Sequence, residues 1–258
     1  MTPFDLQRAA DALIAARTEA RLLAALPPDA CPTTMDEAYR VQAEIARRTG
    51  GYRGWKAGSL TPEARAAAGI DRPTGARLLT PFVHDAPTRL SHARFVVPTL
   101  ECEIAFEMAR DLPPRDAPYG LDEVIAAIGA MRLAIEVADS RLPPKPPTPL
   151  NVADAGANGA FVIGPAVLSW RSMDRGAIEA VLLVNGQEAA RGAGAKVLGD
   201  PLRAVVLFAN NPPPHGPGLR AGDIVTTGSL TGMTPVAPGD HAVATFGFLG
   251  QVEVSFTS

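Results

Sequence analysis

Cysteine is nearly absent. Cys31 and Cys102 are the two thiols of a 258-residue chain, too few for a disulfide scaffold or a cysteine-based zinc site. Basic charge is not in excess either. The 24 Lys and Arg residues face 27 Asp and Glu residues, for a net charge of −3, with no basic stripe, so a nucleic-acid partner is not expected. No apolar run reaches the roughly 18 residues of a membrane span. Met1 to Arg8 lacks a basic start leading into a continuous apolar core, so no signal peptide is expected. The four histidines, His84, His92, His215 and His241, are scattered among turns and loops, and no Ser/His/Asp set can be argued from them. His215 falls in a proline-rich stretch read as a surface loop. Disorder is excluded by 47% hydrophobic and 20% charged residues. These absences leave a globular, cytoplasmic protein with no membrane partner.

Glycine and proline are plentiful, at 24 and 25 residues, which implies many tight turns and short strands. Thr2-Pro3-Phe4-Asp5 reads as the start of a helix continuing to Leu26, where Pro27-Pro28 stop it. Thr34 to Glu37 is a capping box opening a second helix that ends at Gly50-Gly51. A strand over Tyr52 to Lys56 and a helix from Thr61-Pro62 to Gly69 follow. Leu100 to Glu107 alternates with period two, the signature of a strand. Leu121 to Met131 reads as a helix and Leu133 to Asp139 as a strand. The five prolines between Leu142 and Pro149 predict a stiff extended loop. Asn185-Gly186 marks a hairpin, and Asp200-Pro201 starts a helix to Asn210. Strands are expected over Asp223 to Thr227, His241 to Phe248 and Val252 to Phe256. Helices come first and strands later, without regular alternation. The chain therefore reads as one α+β domain over 1–258, with a mainly helical part over 1–80 and a β-rich core over 81–258.

Three segments carry candidate chemistry. On a strand, Glu101 and Glu103 face one way, while Leu100, Cys102, Ile104 and Phe106 face the other. Adjacent carboxylates repel unless they are protonated or bridged by a cation. Glu136 sits in the next strand between small neighbours, Ala134 and Ala138. Three carboxylates without a neighbouring imidazole or thiolate are hard ligands suited to Mg²⁺ or Mn²⁺. The alternative is a solvated acidic strand face, which Glu107 would continue. Lys56, inside Gly54-Trp55-Lys56-Ala57-Gly58, is either a cation held near a buried anion or a snorkelling surface lysine. Gly228-Ser229-Leu230-Thr231-Gly232 offers hydroxyls and backbone N–H groups to a carboxylate or phosphate, or is an ordinary turn.

Taken together the segments resemble the 2-keto-4-pentenoate hydratase and 4-oxalocrotonate decarboxylase branch of the fumarylacetoacetate hydrolase superfamily. The matching stretches include Ala38 to Gln42, Trp55 to Gly58, Gly69 to Pro73, Glu101 to Phe106, Glu136 to Arg141, Ala153-Asp154, Asn158-Gly159, Gly199 to Leu202, Ala221 to Val225, Thr227 to Gly232 and Pro238 to Asp240. The resemblance implies a mixed β-roll core, a homo-oligomer, and Mg²⁺ or Mn²⁺ on Glu101, Glu103 and Glu136. It implies Lys56 as the active-site lysine, assisted by local positive charge that lowers its pKa, and Asp71, Ser229 and Thr231 as substrate-binding residues. The implied substrate is a small 2-oxo or 2-hydroxy-2,4-dienoic acid from aromatic catabolism. The implied reaction is hydration, with decarboxylation of a 2-oxo-dienedioate, or binding without turnover, as alternatives. Two departures bear on this. No His and Glu pair of the hydrolase type precedes Glu101. Thr74 stands where the hydratases carry a second acid, and Gly75-Ala76 replaces their aromatic-Gly pair.

Overall fold

The structure is a computed structural model and describes residues 4–214 and 216–258. The expected Thr2 cap and the loop position of His215 lie outside these residues. Helix α1 (Leu6–Thr18) is capped instead by Asp5, whose carboxylate accepts the Arg8 N–H at 3.0 Å. It stops well before Leu26, because the chain turns at Ala20 and the Leu23 N–H bonds to the Arg141 carbonyl at 2.8 Å. Leu23 and Leu26 are buried without being helical, so burial rather than helical period placed apolar residues there. Helix α2 (Met35–Arg48) has the expected capping box. Helices α1 and α2 share a core with α5 (Thr148–Ala153) that includes Leu13, Val41, Ile45 and Val152. Helix α5 begins inside the proline-rich stretch, with Pro149 in the first turn, where no N–H is needed.

Two sheets form the rest. The larger has eight strands. Seven of them run in the spatial order β2 (Thr74–Leu79), β1 (Tyr52–Gly58), β10 (Ile224–Ser229), β5 (Thr99–Met108), β6 (Ile128–Ala138), β7 (Asn158–Val167), β3 (Val83–Asp85). The short β11 (Thr234–Pro235) also pairs with β5. The β1–β10 and β3–β7 pairs are parallel and the others antiparallel, which makes this a mixed sheet. The smaller sheet runs β4 (Thr88–Ser91), β13 (Gln251–Thr257), β12 (His241–Thr245), β8 (Glu179–Val184), β9 (Gln187–Ala193). One continuous core combines the apolar face of β5 and β6 with residues of β8, β12 and β13 and of α6 (Leu202–Ala209). Helix α3 (Pro62–Ala68) follows β1, ending at Gly69 as expected. The fold is α+β with a mixed, curled sheet and helices leading the chain.

Helix α4 (Leu121–Ala127) ends four residues short of Met131. From Ile128 the chain pairs with β5, starting at Met108. Both faces of that strand are buried from Leu133 to Ala138, so the period-two signal that would mark its beginning is blurred. The same reason hid β7, whose first seven residues are all buried.

Candidate metal centre and active site

The site is built on one face of the larger sheet. Leu100, Cys102, Ile104 and Phe106 of β5 point into the main core and are all 0% exposed. Burial pushes the Cys102 thiol up to about 12, so it is an inert core residue. Glu101 and Glu103 project from the opposite face. Antiparallel pairing sets Glu136 of β6 directly across from Glu101 and Ala134 across from Glu103. One oxygen from each of Glu101, Glu103 and Glu136 lies within 4.8 Å of the others. Glu103 and Glu136 are buried and Glu101 is half-buried, which excludes a fully solvated acidic strand face.

On the other side of β5, the register runs from Ala105 to Thr226 of β10 and from Thr226 to Lys56 of β1. That parity puts Lys56 on the carboxylate face, while Trp55 turns into the core against Phe208. Gly54 permits the close pairing, since a Cβ there would stand 1.9 Å from the Ile224 carbonyl. Lys56 Nζ donates to Glu136 Oε1 at 2.7 Å and to the Gly156 carbonyl at 3.2 Å. Asn158 Nδ2 donates to the same Glu136 oxygen at 2.9 Å. Gly228 N–H reaches Glu103 Oε2 at 3.3 Å from a turn with φ of 104°, a conformation that favours glycine. The remaining oxygens, Glu136 Oε2 and Glu103 Oε1, are buried with no hydrogen-bond partner.

Three carboxylates facing one ammonium leave negative charge in a largely buried place. Burial, then repulsion from Glu136 and Glu101, hold the Glu103 carboxyl well above its ordinary range. Burial also raises Glu101, with Lys56 opposing and Glu136 adding to the rise. For Lys56 burial disfavours the ammonium, but Glu136, Glu101 and Glu103 together outweigh it, and the pKa is raised. Without a metal, then, Lys56 is a protonated counter-ion to the three carboxylates. Two orphaned, buried oxygens in an all-oxygen donor set with excess negative charge fit Mg²⁺ or Mn²⁺. The groups that would hold the ion are Glu101, Glu103 and Glu136.

The other candidates are placed unevenly. Ser229 pairs with Glu103 across the sheet and accepts the Gly232 N–H at 2.8 Å, and its hydroxyl favours the charged form of the nearby Glu101 carboxyl. The Thr231 hydroxyl accepts the Cys102 N–H at 3.1 Å and donates to the Gly232 carbonyl, tying the turn to β5. Thr74 pairs with Gly58, two residues from Lys56 on the same face, and a Cβ on Gly58 would lie 2.7 Å from the Thr74 hydroxyl. Asp71 stands apart. It is exposed in the turn before β2 and lines a hollow of about 100 Å³ with Tyr39, Arg72 and Pro213. Asn158 and the Gly156 carbonyl received no role from sequence. Their contribution depends on the turn between α5 and β7, where Gly156 has a positive φ of 58°.

The fumarylacetoacetate hydrolase C-terminal family matches residues 75–257, which hold the three carboxylates and most of the larger sheet. The chain belongs to this family. It is 32% identical over 235 residues to a 2-keto-4-pentenoate hydratase of Burkholderia vietnamiensis, covering 89% of each protein. It is 29% identical over 228 residues to a 4-oxalocrotonate decarboxylase of Pseudomonas putida, covering 86% of each. Among solved structures, the 4-oxalocrotonate decarboxylase of Pseudomonas putida G7, complexed with magnesium and adipate, superimposes with a TM-score of 0.87 at 29% identity, over 97% of both chains. The chain thus lies in a branch of the fumarylacetoacetate hydrolase family that holds both hydratases and decarboxylases. No helix among the described residues is long and apolar enough to cross a membrane.

Proposed function

We propose that the protein is a divalent-metal-dependent hydratase acting on a small 2-oxo or 2-hydroxy-2,4-dienoic acid. The observation that carries this reading is the gathering of Glu101, Glu103, Glu136 and Lys56 on one sheet face, with two carboxylate oxygens left unpartnered. Similarity to hydratases along nearly the whole chain supports it. When bound at these carboxylates, Mg²⁺ or Mn²⁺ supplies positive charge that stabilises an enolate. Lys56, its Nζ fixed by the Gly156 carbonyl and Glu136, would give its proton to a carbon of the dienol chain and recover one from the enol O–H, whose carbon becomes the carbonyl. Asn158 keeps the shared Glu136 oxygen occupied, so that the other oxygen stays turned toward the cluster. Ser229 orients the substrate carboxylate from beside Glu101, and Thr231 holds the turn that presents it.

Thr74 favours a second reading. Hydration requires a group that takes a proton from water. A threonine hydroxyl is far too weak a base at neutral pH, whereas decarboxylation needs no water. Decarboxylation of a 2-oxo-dienedioate is therefore the rival, and the likeness to a decarboxylase structure supports it. Incubation with Mg²⁺ and either 2-hydroxypenta-2,4-dienoate or a 2-oxo-dienedioate separates the two. Loss of dienol absorbance with water addition and no CO₂ supports the hydratase. Release of CO₂ from the dienedioate, with the monoacid left unhydrated, refutes it.

A further inference from the structure

Asn158 joins two regions of the molecule. Its side chain touches Glu136, while its backbone carbonyl accepts Arg17 Nη2 at 2.6 Å and Arg141 Nη1 at 3.2 Å. Those two arginines help to line a separate hollow of about 160 Å³, together with His84, Arg89, Arg94 and Asp139. None of the six belongs to the carboxylate cluster. The hollow has room for about five water molecules at roughly 30 Å³ each, the size of a small organic or inorganic anion.

Its charge is unbalanced. Arg141 is 1% exposed and pairs with Asp154 at 2.9 Å and Asp139 at 3.7 Å. Asp139 is further engaged by the Val96 and Val97 N–H groups, at 2.9 and 2.8 Å. Arg17 bonds only to carbonyls, those of Asn158 and Gly159. The Arg89 and Arg94 side chains make no ion pair and no hydrogen bond among the described residues. Asp139, the carboxylate that lines the hollow, and Asp154 behind it are both engaged by Arg141, and exposed Asp85 acts on His84 from the side, so the Arg89 and Arg94 guanidinium groups are left without a paired carboxylate. The positive groups are also held in place. Arg17 and Arg94 both lie over the Phe82 ring, at 4.7 and 5.8 Å from its centroid. Burial, then the Arg94 charge, lower the pKa of His84 against the opposing pull of Asp85, which favours the neutral ring that can donate one hydrogen bond and accept another.

We propose that this hollow binds a small dianionic oxyanion, with Arg89 and Arg94 supplying the two unmatched charges and Arg17 and Arg141 lying deeper. Guanidinium groups suit planar carboxylates and phosphate alike, so a short dicarboxylate and a phosphate share the required chemistry. The inference is independent of the reaction assigned to the metal centre.

The test is calorimetric titration of metal-stripped protein with inorganic phosphate and, separately, with succinate, at ionic strength held constant with sodium chloride. Saturable binding of one anion per chain is expected, and the tighter of the two identifies the source. Arg89 and Arg94 are exposed and unpaired, so the double variant Arg89→Gln/Arg94→Gln is expected to fold, which circular dichroism would verify. It should weaken binding at least tenfold, whereas Lys56→Met should leave binding intact. Three results would overturn the proposal. One is no saturable heat with either anion. Another is undiminished binding in the double variant. The third is binding abolished by Lys56→Met and retained by the double variant, which would move the anion to the carboxylate cluster.

Discussion

Glu103 and Glu136 are both buried carboxylates of the same cluster, yet their neutral isosteres should behave oppositely without metal. Glu136 Oε1 accepts Lys56 Nζ at 2.7 Å, and the pair is almost enclosed, with side-chain exposures of 1% for Glu136 and 17% for Lys56. Breaking a buried pair by removing one partner typically costs 3–5 kcal/mol. Glu101 and Glu103 still face Lys56 after Glu136→Gln, so the low end, about 3 kcal/mol, is appropriate. Each kcal/mol moves the melting temperature of a chain this size by about 2–4 °C, so metal-free Glu136→Gln should melt about 6–12 °C below wild type. Glu103 has no cation within ion-pair distance, and its charge is opposed by burial and by two neighbouring carboxylates. Metal-free Glu103→Gln should therefore melt at or above the wild-type temperature. Mg²⁺ at a hundred times its Kd adds about 2.7 kcal/mol to the wild type, or about 5–10 °C. Both variants should lose most of that gain. Differential scanning calorimetry of the three proteins, each with and without Mg²⁺, reads all of this directly. If the two variants shift the metal-free melting temperature in the same direction, the ion-pair assignment is wrong. If either keeps the full gain with Mg²⁺, its place among the metal ligands is wrong.

Lys56→Met should retain Mg²⁺ binding by calorimetry and lose at least about a hundredfold in turnover, the lower bound for general acid–base contributions; unchanged turnover would return Lys56 to a charge-balancing role. Thr74→Asp should raise water addition to 2-hydroxypenta-2,4-dienoate, while deuterium exchange at the enolate carbon, followed by NMR, should change little; fast hydration by the wild type would place the base elsewhere. The pH dependence has a defined sign. Glu103 and Glu101 have folded-state pKa values raised above those of the unfolded chain, so the folded protein takes up protons that the unfolded chain does not. Metal-free stability should thus rise as pH falls toward the ordinary carboxylate range, and saturating Mg²⁺ or Glu103→Gln should flatten that slope in a melting series.

Much of the site could be read from local pattern. Period two on β5 was enough to put Glu101 and Glu103 on one face and Cys102 on the other, because strand side chains alternate whatever the neighbours are. Capping chemistry located α2 and α3 for an equally local reason, since the cap hydrogen bonds span only three residues. Burial on both faces removed that legibility from β6 and β7, and with it the start of β6 and the whole of Asn158's setting. Tertiary structure alone decided which residues met across long separations. Lys56 and Glu136 are eighty positions apart, and their ion pair depends on β10 inserting between β1 and β5 in a register no local pattern encodes. The same pairing set Thr74 beside Gly58 and left Asp71 in a separate surface hollow, although Asp71 and Thr74 are close in sequence. The sign of the Lys56 shift was likewise undecidable from residues alone, because burial and three carboxylates pull in opposite directions and only their distances say which prevails.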